Sequence, residues 1–208
     1  MTKVKICGIT NLEDAQLSVD LGADMIGFNF WPQSKRFVDE GYAESVVERL
    51  VGSVIKVGVF VDQSLEDIID AEGIAELDVI QLHGDESPEF IRVLRNETDA
   101  EIIKVFRVTP GFDCEVIHKY SVDGIMLDSF SKADKGGTGK TFDWNVASTM
   151  TQTSGTLYLA GGLNPENVNE AIRRVRPFAV DVASGVESEP GKKDPKKVEE
   201  FIKNAKNA

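Results

Sequence analysis

Apolar, β-branched residues recur in eight short runs, at 4–9, 25–30, 56–61, 79–82, 102–108, 124–127, 157–160 and 179–182. Each run is nearly continuous rather than alternating. That is the pattern of a strand covered on both faces, as in a parallel sheet. Between the runs lie stretches of helical period with recognisable starts. Asn11 precedes Leu12-Glu13-Asp14, and Ser64 precedes Leu65-Glu66-Asp67. Ser87 and Asn164 each precede a Pro-Glu pair. A capping side chain followed by acids, or by proline at the first helical position, predicts a helix N-terminus. Residues 196–205 predict a terminal helix with Val198, Phe201, Ile202 and Ala205 on one face. Residues 41–51 and 112–119 predict two further helices.

Strand and helix thus alternate about eight times over 208 residues, roughly 26 residues per unit. The repetition predicts an α/β protein, a single (β/α)8 TIM barrel forming one domain over residues 1–208. An open doubly wound sheet is the alternative. It usually carries fewer units and a glycine-rich first turn, whereas the first run here ends Cys7-Gly8-Ile9-Thr10.

Composition narrows the function. The chain is 41% hydrophobic and 28% charged, with a net charge of −12. So acidic a chain is a poor non-specific binder of nucleic acid or anionic membrane. No apolar stretch approaches the ~20 residues of a membrane span, and the N-terminus lacks the apolar run of a signal peptide. Cys7 and Cys114 are far apart, as are His83 and His118. That spacing makes neither a disulfide framework nor a metal site. We expect a cytoplasmic protein, monomeric or homodimeric.

In such a barrel the chemistry collects at the C-terminal ends of the strands. The strand-end residues are Cys7 on the first, Ser34, Lys35 and Arg36 after the second, and Gln81-Leu82-His83-Gly84 on the fourth. Asp128 ends the sixth, Gly161-Gly162 the seventh, and Asp181-Val182-Ala183-Ser184-Gly185 the eighth. Singly, each has a purely structural explanation: a small buried hydrophobe, a turn former, a solvated arginine. Together they say more. Strands 1 and 6 stand across the mouth from one another, so a thiol and a carboxyl could serve as base and acid on one substrate. Glycines after strands 7 and 8 offer backbone N–H groups to a phosphate, aided by a short helix expected around 186–189. Lys132, Lys135 and Lys140 offer a rival anion site on a glycine-rich loop. That loop is not a P-loop, because Asp134 stands where the motif requires glycine.

The ordered motifs Lys5-Ile-Cys-Gly-Ile-Thr10, Ser34-x-Arg36, Gln81-Leu-His-Gly84, Leu127-Asp-Ser129, Gly136-Gly-Thr-Gly-Lys-Thr-Phe-Asp-Trp144, Leu159-Ala-Gly-Gly-Leu163 and Asp181-Val-Ala-Ser-Gly-Val-Glu187 resemble the phosphoribosylanthranilate isomerase family. The resemblance spans nearly the whole chain. It implies a cofactor-free Amadori rearrangement in tryptophan biosynthesis, on a phosphorylated anthranilate substrate. It implies Asp128 as general acid and Cys7 as general base. It places Arg36 on the anthranilate carboxylate, with Asp181 orienting substrate and His83 lining the site. A free thiol titrates near ~8.5, so Cys7 needs a cationic neighbour to act at neutral pH. Lys5, two residues away on the same strand face, is the nearest such residue in sequence. A related isomerase or synthase on the same barrel, or a non-catalytic barrel binding a phosphorylated ligand, are the competing readings.

Overall fold

The eight runs form parallel strands: β1 (Lys3–Cys7), β2 (Met25–Asn29), β3 (Ile55–Phe60), β4 (Val79–Leu82), β5 (Glu101–Val108), β6 (Gly124–Ser129), β7 (Thr156–Leu159) and β8 (Ala179–Val182). They pair in sequence order, and β8 returns to β1 with Val180 opposite Val4, closing a barrel. The computed structural model describes residues 1–109, 111–129, 144, 147 and 156–208.

Near-continuous apolarity has a direct structural meaning here. Alternate side chains of each strand enter two different cores. Met25, Val57, Val79, Ile103, Val105, Met126, Tyr158 and Ala179 fill the barrel interior. Their neighbours Ile26, Ile80, Ile102, Leu127, Leu159 and Val180 face outward into the layer between barrel and helices. Apart from the buried Lys5 of β1, the inward set is apolar below and changes character at the C-terminal ends, where Cys7, Gln81, Asp128 and Asp181 take over.

Continuously described helices are α1 (Leu12–Asp20), α2 (Glu40–Val47), α3 (Leu65–Ile74), α4 (Pro88–Leu94), α5 (Val168–Val175) and α6 (Pro195–Lys206). Asn11, Asp39, Ser64, Ser87 and Asp194 cap α1 to α4 and α6, each side chain accepting from a first-turn backbone N–H. Such a cap contributes about 1 kcal/mol. The four residues expected on one face of the terminal helix are all buried.

Three local expectations differ. Residues 112–119 form a 3-10 helix, Cys114–Lys119, rather than an α-helix. Asn164 does not cap a regular helix. Its side chain closes a turn by accepting from Glu166 N and Asn167 N, each at 3.0 Å, and α5 begins only at Val168. The helix expected around 186–189 is instead a single 3-10 turn, Ser184–Val186, followed by an antiparallel hairpin of β9 (Glu187–Glu189) and β10 (Lys192–Lys193). Extended backbone buries Glu187 while leaving Ser188 and Glu189 in solvent, and Gly191 (φ 86°) supplies the left-handed turn.

The terminal helix should matter to stability in proportion to its buried face. Phe201 has no exposed surface, so Phe201→Ala is expected to cost about 3–5 kcal/mol, measured by urea denaturation.

Candidate active site

The strand ends enclose one cavity at the C-terminal mouth. Cys7, Arg36, His83, Asp128, Gly161, Gly162, Asp181, Ser184 and Gly185 all line it, so every site residue expected from the sequence is brought to one place. Asn29, Trp31, Gln81 and Arg107 join them. Lys132, Lys135 and Lys140, and residues 136–143 of the glycine-rich motif, lie outside the described residues.

On β1, Lys5 and Cys7 both point inward. Lys5 is fully buried, and its ammonium donates to Asp181 Oδ1 at 2.8 Å. A Cβ on Gly27, the β2 residue opposite Cys7, would lie 3.0 Å from both Cys7 Sγ and Lys5 Nζ. Thiol and ammonium therefore share the space that glycine leaves. Burial pushes the Cys7 thiol above its ordinary range, Lys5 opposes that rise, and Asp181 adds to it. For Lys5, burial alone would lower the ammonium, but Asp181 and Cys7 outweigh it and the net shift is upward. The lysine thus stays charged beside the sulfur and works against burial, although the net shift of the thiol remains upward.

Across the mouth, His83 Nε2 lies 3.2 Å from Asp128 Oδ2. The other ring nitrogen, Nδ1, faces Gln81 Nε2 at 3.4 Å. In the tautomer that accepts from this amide, the proton sits on Nε2 and points at the Asp128 carboxyl group. Arg107 Nη2 donates to the His83 carbonyl at 2.7 Å and steadies the loop.

Arg36 follows β2. Its Nε and Nη2 donate side-on to Glu187 Oε1 and Oε2 at 2.7 and 2.6 Å. A Cβ on Gly8 would sit 2.4 Å from Arg36 Cδ, so the turn after Cys7 must be glycine for the arginine to pass. Lys193 Nζ donates to the same carboxylate at 3.0 Å and to the Cys7 carbonyl at 2.6 Å. Burial would raise the Glu187 carboxyl, but Arg36 and Lys193 outweigh burial and hold it below its usual range.

The loops after β7 and β8 touch. Gly161 and Gly162 are both left-handed, at φ 85° and 69°. The Gly162 carbonyl accepts from Asn167 Nδ2 at 3.0 Å. A Cβ on Gly185 would fall 2.0 Å from the Leu163 carbonyl oxygen. No side chain fits there without parting the two loops, so Gly185 serves close approach as well as any ligand.

Comparison with known proteins gives this geometry a family. Residues 4–204 match the family described as N-(5'phosphoribosyl)anthranilate (PRA) isomerase. The chain belongs to the phosphoribosylanthranilate isomerase family. It is 45% identical to N-(5'-phosphoribosyl)anthranilate isomerase of Trichlorobacter lovleyi over 208 residues, covering 100% of both chains. A crystal structure of phosphoribosyl anthranilate isomerase from Thermotoga maritima shares 44% identity at a TM-score of 0.91, again over 100% of both chains. A crystal structure of phosphoribosyl anthranilate isomerase in complex with reduced 1-(o-carboxyphenylamino)-1-deoxyribulose 5-phosphate shares 43% at 0.88 with the same coverage.

Within this family fold, Trp31 and Arg107 line the site without having been expected there, Glu187 and Lys193 brace it, and Gln81, expected only as a strand-end residue, faces His83. The strand-end rule would have found Arg107, which sits near the end of β5. Glu187, the last residue of the family motif that begins on β8, and Lys193, in the polar loop over the same face, carry no mark in the sequence of the contacts they make with Arg36 and Cys7.

The Lys5–Cys7 pair makes a prediction about pH. Removing the cation leaves burial and Asp181 unopposed, so the thiol rises further and less thiolate exists at any given pH. In a Cys114→Ser background, Lys5→Met should move the pH midpoint of Cys7 alkylation by iodoacetamide upward by about one unit or more. An unchanged midpoint in folded protein would separate Lys5 from the thiol's chemistry.

Proposed function

We propose that this cavity, in one catalytic domain over residues 1–208, converts N-(5-phosphoribosyl)anthranilate to 1-(2-carboxyphenylamino)-1-deoxyribulose 5-phosphate in tryptophan biosynthesis. The chain's family membership supports the reaction. The observation that carries the assignment of roles is the placement of a thiol and a carboxyl in one cavity, each with its own hydrogen-bonding partner.

Asp128 gives its proton to the furanose ring oxygen. The ring C–O bond breaks as the anthranilate nitrogen lone pair forms the C1=N bond of a Schiff base. The Nε2–H of His83 then stabilises the carboxylate that Asp128 becomes. Cys7 thiolate removes the C2 proton, and the C–H electrons form the C1=C2 bond of an enolamine. Protonation at C1 and loss of the O2 proton give the ketone. Lys5 supports the thiolate electrostatically, and Asp181 holds Lys5 in place while facing the substrate. Arg36 takes the anthranilate carboxylate, for which a planar fork is the matching shape.

The phosphate binds between the β7 and β8 loops. Left-handed glycines bring main chain close to an anion, and the first N–H groups of the 3-10 turn at Ser184 have no partner within that turn. A thiolate mechanism also needs a reduced cysteine, in keeping with a cytoplasmic location. Among the described residues no helix is long and apolar enough to cross a membrane.

Purified protein should turn over phosphoribosylanthranilate, followed by loss of anthranilate-type fluorescence. Asp128→Asn, which keeps shape but carries no acidic proton, should lower kcat by about 10²–10⁴. Wild-type turnover by the folded variant would remove Asp128 from the mechanism. For the phosphate, Ser184→Asp places a negative charge beside the proposed anion at a position that already has a Cβ. It should raise KM at least about tenfold, the order of one lost charged hydrogen bond, and weaken inhibition by inorganic phosphate with little change in Tm. Unaltered phosphate inhibition would place the anion elsewhere.

A further inference from the structure

Glu187 has no part in the reaction as described, yet it is among the most constrained carboxylates in the chain. Its side chain is 4% exposed. A buried carboxylate is tolerated only when its oxygens are paired, and here the partners are two cations of the site's own frame. Arg36 approaches with its Nε–Nη2 edge, Oε1 and Oε2 each accepting one hydrogen bond. Lys193, whose side chain has no exposed surface, donates to Oε1 and to the carbonyl of Cys7. Gly191 N also donates to Oε1 at 3.4 Å, and Lys197 Nζ donates to the Glu187 carbonyl at 2.8 Å. The hairpin is anchored from the other side as well. Lys193 N donates to Asp14 Oδ2 at 2.9 Å, and the Thr10 hydroxyl donates to the Gly191 carbonyl.

This arrangement has two consequences. An arginine has two bidentate edges, and Glu187 occupies the side-on one. A rigidly held side-on edge fixes the plane of the guanidinium, and with it the direction of the end-on Nη1–Nη2 edge. Charge gives the second consequence. Arg36 and Lys193 together hold the Glu187 carboxyl below its usual range, so the side-on grip on the guanidinium is a charged one.

We propose that Glu187 is a positioning residue for recognition of the anthranilate carboxylate: it grips the side-on edge of Arg36, aims the end-on edge into the cavity, and through Lys193 ties that aim to the main chain of Cys7. The inference rests on Arg36 binding the carboxylate. Glu187 touches no substrate. Its effect reaches the ligand through Arg36 alone, and this separates it from a residue that merely holds the hairpin together.

The test is a double-mutant cycle read by calorimetry on two probes. One is the reduced product analogue, 1-(2-carboxyphenylamino)-1-deoxyribitol 5-phosphate, and the other is its phenylamino counterpart lacking the carboxyl group. Glu187→Gln should weaken the carboxylate probe about 10- to 100-fold, the range of one charged contact, and leave the other within about twofold. In an Arg36→Met background, Glu187→Gln should weaken the carboxylate probe no further. Equal losses for both probes, or losses that multiply in the double variant, would overturn the proposal. A different failure would be Arg36→Met weakening both probes equally. That result removes Arg36 from carboxylate binding and takes the role of Glu187 with it. Should Glu187→Gln not fold, Glu187→Asp keeps the charge but withdraws it by one methylene. The same selective loss, confined to the carboxylate probe, is expected from it, and an unselective loss would again overturn the proposal.

Discussion

A lysine ammonium inside the barrel, sealed from water, is the interaction around which the rest of the site is arranged. Lys5 has no exposed surface, and an uncompensated charge there would cost several kcal/mol. Its compensation comes from Asp181 on β8 and from the sulfur of Cys7 on its own strand. This single requirement fixes three things. Asp181 must face inward, β2 must offer a glycine opposite Cys7, and the thiol must sit where a cation opposes the effect of burial. Replacing such a pair with apolar residues is often neutral or stabilising. Its presence therefore reads as a device of chemistry rather than of stability.

The same construction recurs outside the cavity, where it holds loops rather than reactive groups. Lys104 points outward from β5 and donates to Glu86 Oε2 at 3.0 Å and to the Gly84 carbonyl at 2.8 Å. Glu86 Oε1 accepts from Gly84 N and Asp62 N at 3.1 and 3.0 Å. One buried pair thus fixes both ends of the turn that follows His83, and Arg107 holds the His83 carbonyl from the other side. Glu187 with Lys193 does the equivalent for Cys7 and Arg36. Loops are ordinarily the least fixed parts of a barrel. Here charged hydrogen bonds to main-chain groups give them the rigidity that acid–base geometry demands.

Much of this was legible in the sequence because it follows from local rules. Eight two-sided strands follow from continuous apolarity, and helix starts follow from Asn11, Ser64 and Ser87. The gathering of Cys7, Arg36, His83, Asp128 and the glycines follows from the strand-end rule once a barrel is assumed. What was hidden depends on contacts between distant segments. Arg36 and Glu187 lie far apart in the chain, and neither carries a local mark of its partner. Residues 186–189 predict a short helix whose positive end faces an anion. Tertiary demand on the Glu187 side chain made the stretch a hairpin instead. His83 was placed in the site but not on Asp128, because the direction of an imidazole is set by Gln81 and the fold rather than by sequence position.

The glycines of the site show the same division between local and tertiary cause. Read locally, Gly8 is a turn former, Gly185 a phosphate contact, and Gly27 one residue of an apolar run. In the fold each stands where another group has taken the space of a Cβ: the Arg36 stem at Gly8, the Lys5 and Cys7 head groups at Gly27, the Leu163 carbonyl at Gly185. Only Gly8 of the three also adopts a left-handed backbone. At Gly27 and Gly185 the reason for glycine is volume alone. An alanine at Gly27 would meet the ammonium and the sulfur at 3.0 Å and force the pair apart or out of register with Asp181. The positions with no side chain are thus a negative image of the chemistry. They mark where arginine, lysine and thiol must pass, and they tie the backbone of β1 and β2 to the reaction as closely as the residues that perform it.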